Sequence, residues 1–140
     1  MKKLILVLAV ALPFLFTGCK ETKVLDGEWK AVSLIQDGKT YTNDEAFIGF
    51  ENGMGGLKVH GNSGVNLFNG TIKMKNGTVK TDGFASTRMM GPEPEMTFED
   101  KFLEILSYAD GYELNDNILV IKSSSKNGEI KFQKNCIKWD

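Results

Sequence analysis

Residues whose side chains could carry out chemistry are few in this sequence. His60 is the one histidine among 140 residues, and a catalytic triad would need it beside a serine nucleophile and an acid. The Gly-x-Ser-x-Gly motif that presents such a serine does not occur, so no activated nucleophile is visible. We therefore predict no catalytic residue, and we expect His60 to be structural or exposed to solvent.

Two other residue types could bind a metal. Carboxylates cluster before an apolar segment, at Glu93, Glu95, Glu99 and Asp100. Their spacing matches no calcium loop, and solvated acidic side chains are typical of the start of a helix, whose dipole favours negative charge. Thioethers are copper ligands, but methionine more often fills irregular gaps, so we interpret Met89, Met90 and Met96 as packing in the core or in a loop. The sequence predicts neither a metal nor a cofactor.

The composition limits the class of protein. Hydrophobic residues make up 41% of the chain and charged residues 25%, which is typical of one globular domain. The 17 basic and 18 acidic residues give a net charge of -1. Because contacts to phosphate groups require a cationic excess, this balance argues against a nucleic-acid partner.

The N-terminal segment is typical of a secretory signal. The uncharged run 4–16 follows Lys2 and Lys3, and it is shorter than the roughly 20 apolar residues that span a bilayer. Its flanking residues match a signal peptide better than a buried core helix. The junction Thr17-Gly18-Cys19 resembles a bacterial lipobox, which implies cleavage between Gly18 and Cys19 and lipidation of Cys19. The alternative is an ordinary cleaved signal that leaves a free Cys19 thiol.

These assignments divide the chain into a signal peptide at residues 1–18, a lipidated tether at 19–25 and one domain at 26–140. Several acyl chains on one residue anchor a protein stably, so the predicted partner is a membrane. Lys20 stands where an Asp would resemble an inner-membrane retention signal, so we favour the outer membrane, with the domain facing the periplasm or the cell surface. Cys136 has no intrachain partner left, and we interpret it as a free thiol on the last strand that acts as a small buried hydrophobe in a monomer. The alternative is an intermolecular disulfide.

Turn residues divide the domain at short intervals. Asx-Gly pairs such as Asn76-Gly77 tolerate the positive φ that tight hairpin turns require. A turn at this pair would place Met74 opposite Val79. The segments between turns predict strands over 28–36, 46–51, 57–61 and 68–75.

The last part of the chain predicts a three-stranded unit. Turns at Asp116-Asn117 and Asn127-Gly128 would bring six apolar side chains to one face: Tyr112, Leu114, Leu119, Ile121, Ile130 and Phe132. A slip by one residue would turn the whole set to the other face, so this agreement supports the register.

One segment has a helical period. After Thr97, apolar residues recur at the spacings of an amphipathic helix: Phe98, Phe102, Ile105, Leu106 and Ala109. Thr97 followed by Asp100 resembles a capping box that starts the helix, and Gly111 is placed to end it. The predicted fold is mainly β (α+β), a small antiparallel barrel-like sheet with one amphipathic helix before the last three strands.

Three motifs in this order resemble the META domain, which is also known from the heat-shock protein HslJ. They are residues 25–29 (LDGEW), 61–70 (GNSGVNLFNG) and 85–91 (ASTRMMG). The resemblance covers about residues 25–134. It implies seven structural positions, with the Asn and Thr satisfying backbone groups around turns and the Met in the core: Trp29, Gly64, Asn66, Phe68, Gly70, Thr87 and Met89.

The resemblance also implies a class of function. It places the protein in the cell envelope, sometimes with stress or drug-resistance phenotypes, and it implies no known catalytic residues. Val65 and Gly91 stand where the family often has cysteines, so a disulfide formed there in relatives would be missing. We expect a non-enzymatic binding or stress-related envelope module. The alternative is a lipocalin-like carrier of a small hydrophobic or metal ligand, which an apolar cavity of several hundred Å³ would favour.

Overall fold

The computed structural model describes residues 25–135. The signal peptide with its cleavage site between Gly18 and Cys19, and also Cys136, lie outside the described residues, so their assignments stay predictions. Within 25–135, no helix combines the length and the apolar content that crossing a bilayer requires.

The described residues form nine strands and one helix. In chain order these are β1 (Gly27–Gln36), β2 (Lys39–Tyr41), β3 (Phe47–Gly53), β4 (Gly56–Asn62), β5 (Leu67–Lys75), β6 (Thr78–Ser86), α1 (Glu93–Ser107), β7 (Gly111–Asn115), β8 (Ile118–Ser123) and β9 (Gly128–Lys134).

Eight of the strands close an antiparallel barrel. Around the sheet the order is β1-β3-β4-β5-β6-β7-β8-β9, and β9 pairs back with β1. The short β2 lies outside this ring and pairs with the last residues of β1, from Leu34 to Gln36. The predicted barrel-like sheet with one helix before the last three strands is therefore confirmed.

Tight turns fix the register of the hairpins. Asn76 and Gly77 adopt φ angles of 50° and 82°, the left-handed values that a type I′ turn demands. As predicted, Met74 then lies opposite Val79. In the three-stranded unit the predicted apolar face points inward, with four side chains fully buried and two packed against them: Leu119, Ile121, Ile130 and Phe132, then Tyr112 and Leu114.

The helix begins earlier than the capping pattern predicts. α1 starts at Glu93, with Pro92 as its N-cap and no hydrogen bond from a capping side chain. The fixed φ of proline suits the first turn, where Pro94 also lies. The predicted capping box of Thr97 and Asp100 is wrong, because both residues already lie inside the helix.

The end of α1 fills a gap in the barrel wall. The helix ends at Ser107, so the predicted helix-ending role of Gly111 is wrong, and Gly111 instead begins β7. It pairs with Thr78, and this is the single pair between β6 and β7. Farther along β6, Thr81 Oγ1 donates to the carbonyl oxygen of Ser107 at 3.0 Å. The helix thus takes the place of a neighbouring strand there.

α1 also crosses one end of the barrel, which we call the helix end. Near its middle Glu99 contacts the loop 63–66, in its last turn Glu104 accepts a hydrogen bond from Gln36, and at its C-cap the carbonyl of Tyr108 accepts one from Ser123. The opposite end, which we call the turn end, carries the β3–β4, β5–β6 and β7–β8 turns and the entry of the chain at Leu25.

The barrel interior is filled by its own side chains. Phe102 of α1 is fully buried, and its ring centroid lies 5.6, 5.7 and 6.0 Å from those of Phe68, Phe98 and Phe132. Trp29 of β1 is 1% exposed, and its indole N–H donates to the carbonyl oxygen of Leu25. The contacts of Phe102 with Phe68 on β5 and with Phe132 on β9 join the helix to opposite walls of the barrel.

Candidate functional site

A polar cluster built around the buried side chains of Ser63, Asn66 and Glu99 lies where α1 meets the loop between β4 and β5. We call it the Glu99 cluster, and it consists of Ser63, Asn66, Thr87 and Glu99 with the backbone of Met89. Ser63 and Asn66 come from the loop that joins β4 to β5, Thr87 directly follows β6, and Glu99 lies in the second turn of α1. The cluster therefore joins three parts of the chain that are distant in sequence.

The Glu99 carboxylate is surrounded by donors. Its Oε1 accepts from Ser63 Oγ at 2.8 Å and from the backbone N–H groups of Val65 and Asn66 at 3.0 and 2.7 Å. Its Oε2 accepts from Asn66 Nδ2 at 2.6 Å. Glu99 is only 4% exposed, so its sequence-based interpretation as a solvated acid at the helix start is wrong.

The Asn66 side chain connects Glu99 to the segment after β6. Its Oδ1 accepts from Thr87 Oγ1 at 2.9 Å and from the Met89 N–H at 2.6 Å, while its Nδ2 also donates to the Met89 carbonyl at 3.1 Å. Both N–H bonds and both lone pairs of the amide are thereby used. Asn66 thus satisfies the N–H and the carbonyl of Met89, and Thr87 Oγ1 accepts from the Leu67 N–H at 3.1 Å, which agrees with the predicted role of both residues in satisfying backbone groups.

The environment of Glu99 keeps it ionised. Burial alone raises the pKa of its carboxyl group, because a charge is costly away from water. The hydrogen bonds from the Asn66 side chain and backbone, from Val65 and from Ser63 outweigh burial and lower the pKa below the ordinary value of 4.5. The cluster thus holds a negative charge that its donors stabilise.

The chemistry open to this cluster is narrow. Every buried side-chain nitrogen and oxygen in the described part of the chain has a hydrogen-bond partner. A buried carboxylate whose pKa is lowered by four hydrogen bonds from its own chain is a weak general base. The arrangement instead fixes the positions of loop 63–66 and segment 86–91 relative to α1.

The family positions named from the sequence fall into two groups. Trp29 and Phe68 are core residues, and Gly70 lies against the ring of Phe84, where an added Cβ would come within 2.6 Å. Gly64 adopts a φ of 132° in the loop of the Glu99 cluster. The predicted core position of Met89 is wrong, since its side chain is 56% exposed and the cluster uses only its backbone.

The remaining candidates do not converge on one point. Glu93 and Asp100 are exposed, Glu95 lines a surface cleft of about 340 Å³, and His60 is exposed with its Nε2 3.9 Å from Glu28. Within residues 25–135, no three His, Cys, Asp or Glu side chains are grouped closely enough to hold a metal ion.

Val65 and Gly91 are neighbours beside the Glu99 cluster. A Cβ built on Gly91 would lie 3.5 Å from the Cβ of Val65, and disulfides have Cβ–Cβ separations of about 3.5–4.5 Å. The geometry thus fits the cysteine pair that the family resemblance implies at these two positions.

We predict that Val65→Cys combined with Gly91→Cys forms a disulfide that raises the free energy of unfolding by about 2–4 kcal/mol, because it closes a loop in the unfolded chain. Urea unfolding with and without a reductant measures the gain. The single Val65→Cys variant serves as the control and should show no dependence on the reductant. Equal stability of the oxidised and reduced double variant would contradict the prediction.

Comparison with known proteins agrees with this architecture. The chain matches a model of the META domain over residues 22–135. An NMR structure of a protein from Burkholderia xenovorans is similar with a TM-score of 0.64 at 16% identity, covering 91% of this chain and 99% of that one. A crystal structure of a duf4847 family protein from Bacteroides vulgatus has a TM-score of 0.54 at 17% identity, covering 82% and 96%. At these identities the likeness shows the fold alone. No curated protein matches the chain.

Proposed function

The chain belongs to the META domain family, and from this premise we propose that it is a non-enzymatic binding module of the cell envelope, held at a membrane by a lipid on Cys19. The observation that carries the proposal is the filled interior of the barrel. Trp29, Phe68 and Phe102 occupy the space that a carrier would keep for its ligand. Binding by this domain is then a property of its outer surface and its loops.

The Glu99 cluster supports the non-enzymatic part of the proposal. Catalytic acids and bases need a proton-transfer partner within reach of a substrate. The donors around Glu99 instead come from the protein's own loop 63–66, and Glu99 itself is buried. We interpret the cluster as a structural element that fixes the conformation of the loops at the helix end.

The alternative function, carriage of a small hydrophobic or metal ligand, has less support. Two clefts of about 350 Å³ lie on the surface of the protein. One is beside Ser123 and Lys122, and the other is beside Lys30 and Gln133. Both are open to solvent and lie outside the barrel, whereas a carrier encloses most of its ligand in a pocket. The implied link to envelope stress stays a prediction.

The anchor is the part of the proposal that is easiest to test. The junction Thr17-Gly18-Cys19 motivates it, and the attached acyl chains would hold the protein at a membrane, with the outer membrane favoured. We predict that the full chain expressed in a bacterium incorporates radiolabelled palmitate and sediments with membranes. Cys19→Ala is expected to abolish both.

Cys136→Ser is the matched control for this experiment, since it removes the other cysteine and should leave labelling unchanged. If Cys19→Ala still incorporates palmitate and stays with the membrane fraction, the anchor is assigned to the wrong residue.

A further inference from the structure

Four lysines lie together on the outer face of the barrel near the turn end. We call this the lysine face, and it consists of Lys58 on β4, Lys73 and Lys75 on β5, and Lys80 on β6. All four are exposed. None of them forms an ion pair with a carboxylate among residues 25–135. The chain as a whole has more acidic than basic residues, so this face is a local excess of positive charge.

The arrangement of the lysine face works against the stability of the sheet. Lys73 and Lys80 are directly opposite each other on neighbouring strands, and like charges in such pairs are destabilising. Lys58 lies opposite Thr71 on β5, within diagonal reach of Lys73, but on its other side it lies opposite the acidic Glu51 of β3, so the direct repulsion is that between Lys73 and Lys80. Proteins depart from stabilising local arrangements mainly at functional sites. The repulsion between Lys73 and Lys80 therefore indicates a ligand of opposite charge.

An apolar tip projects beside these lysines. Met54, in the β3–β4 turn, is 95% exposed. The stems of Lys58 and Lys73 lie over the glycines on either side of it, since an added Cβ would come within 2.8 Å of Lys58 Cγ at Gly53 and 3.2 Å of Lys73 Cγ at Gly56. A groove of about 380 Å³ opens between this turn and Lys75. Cationic groups around an exposed apolar tip match the headgroup and acyl layers of a membrane surface.

The chain enters the barrel at the same end. Gly27 at the start of β1 lies opposite Phe50, and β3 continues for three residues beyond Phe50 to Gly53. The β3–β4 turn therefore projects about 10 Å past the entry point. From Cys19 to Leu25 the chain has six Cα–Cα steps, which span at most about 22 Å. A lipid on Cys19 would thus keep the turn end close to the bilayer.

We propose that the lysine face and Met54 form a docking surface for an anionic lipid bilayer, so that the barrel rests on the membrane through its turn end and presents its helix end away from the membrane. This inference rests on the proposed anchor at Cys19. Lys73, Lys75 and Lys80 contact lipid phosphates, and Met54 enters the interface.

The test uses the full-length lipoprotein in vesicles, with Cys136→Ser as background and Met54→Cys carrying the fluorophore bimane. Vesicles of phosphatidylcholine alone are compared with vesicles containing about one third phosphatidylglycerol. We expect the protein to float with both, and the bimane emission to shift to the blue only with phosphatidylglycerol and at low salt. Lys73→Gln with Lys80→Gln should reduce the ratio of docked to undocked protein about 25-fold, at about fivefold for each lysine.

The matched control is Lys39→Gln with Lys131→Gln, which removes two exposed lysines outside the lysine face and should leave the shift unchanged. The melting temperature of the Lys73/Lys80 variant should be unchanged or higher, because it loses a repulsion. If the protein floats with both vesicle types but its bimane emission is the same in each, the docking surface is wrong and the lipid anchor on Cys19 is still supported. Flotation with anionic vesicles alone would overturn the anchor and still support the docking surface.

Discussion

Replacing Glu99 by Ala is expected to lower the free energy of unfolding by about 3–5 kcal/mol, because it leaves several buried donors without an acceptor. The Ser63 hydroxyl, the Val65 and Asn66 N–H groups and the Asn66 amide all donate to this carboxylate. Each unsatisfied buried donor costs about 1–3 kcal/mol, and the total stays at the low end of the sum because the Val65 N–H is only partly buried and water can solvate it. Urea unfolding followed by circular dichroism measures the loss.

Asp100→Ala is the matched control, since this neighbouring acid of the same helix is exposed. Its substitution should change the free energy of unfolding by no more than about 0.5 kcal/mol. A loss below about 1 kcal/mol for Glu99→Ala would mean that water replaces the carboxylate and that the cluster does not hold the loops.

The same residue gives the fold a dependence on pH. The pKa of Glu99 in the folded protein lies below 4.5, so the unfolded chain binds its proton more readily than the folded one. The stability that the carboxylate contributes is complete above the unfolded pKa and is lost as the pH falls through the folded pKa. In Glu99→Gln this part of the acid dependence should be absent. Parallel stability curves for the two proteins below about pH 4.5 would contradict the assignment.

Local turn chemistry explains why much of the barrel is predictable from sequence. The φ angles of Asn76 and Asn127, both 50°, are those that Asx residues tolerate in tight turns. Once such a turn is placed, the period of two along each strand fixes which side chains point inward. The burial of Leu119, Ile121 and Phe132 therefore follows from residues close to them in sequence.

The Glu99 cluster is harder to predict because its partners are distant in sequence. Asn66 lies 33 residues before Glu99, and no local pattern tells that loop 63–66 turns its N–H groups toward the helix. One signal was present in the sequence: Glu99 precedes Phe102 by three positions and Leu106 by seven, which places it on the apolar face of the helix. A charge at such a position predicts a buried, hydrogen-bonded carboxylate.

At the start of α1, in contrast, the sequence contains a local capping signal that the structure does not use to begin the helix. Thr97 and Asp100 have the spacing of a capping box, yet the helix continues four residues before Thr97 to Glu93. Glu99 must face loop 63–66, and in the preceding turn the carbonyl oxygen of Glu95 lies so close to Gly64 that a Cβ added there would be 3.2 Å from it. These tertiary contacts outweigh a cap, which is worth about 1 kcal/mol.

Phe102→Ala is expected to lower the free energy of unfolding by about 3–5 kcal/mol, because it removes a fully buried ring from the centre of the barrel. Its contacts with Phe68 on β5 and Phe132 on β9 hold α1 against two walls of the barrel, so the side chain that fills the interior also fixes the position of the helix. Leu103→Ala is the matched control on the same helix. Leu103 is only partly buried, and its loss should cost less than about 1.5 kcal/mol.

The cavity that Phe102→Ala leaves also tests the filled barrel on which the proposed function depends. An apolar cavity of this kind stays dry and binds benzene or xenon, and a ligand that binds only the folded state raises its stability. Benzene should therefore raise the melting temperature of Phe102→Ala and leave that of the natural protein unchanged. Equal stabilisation of the two would mean that the natural barrel already has room for an apolar ligand, and the carrier function would then be the better proposal.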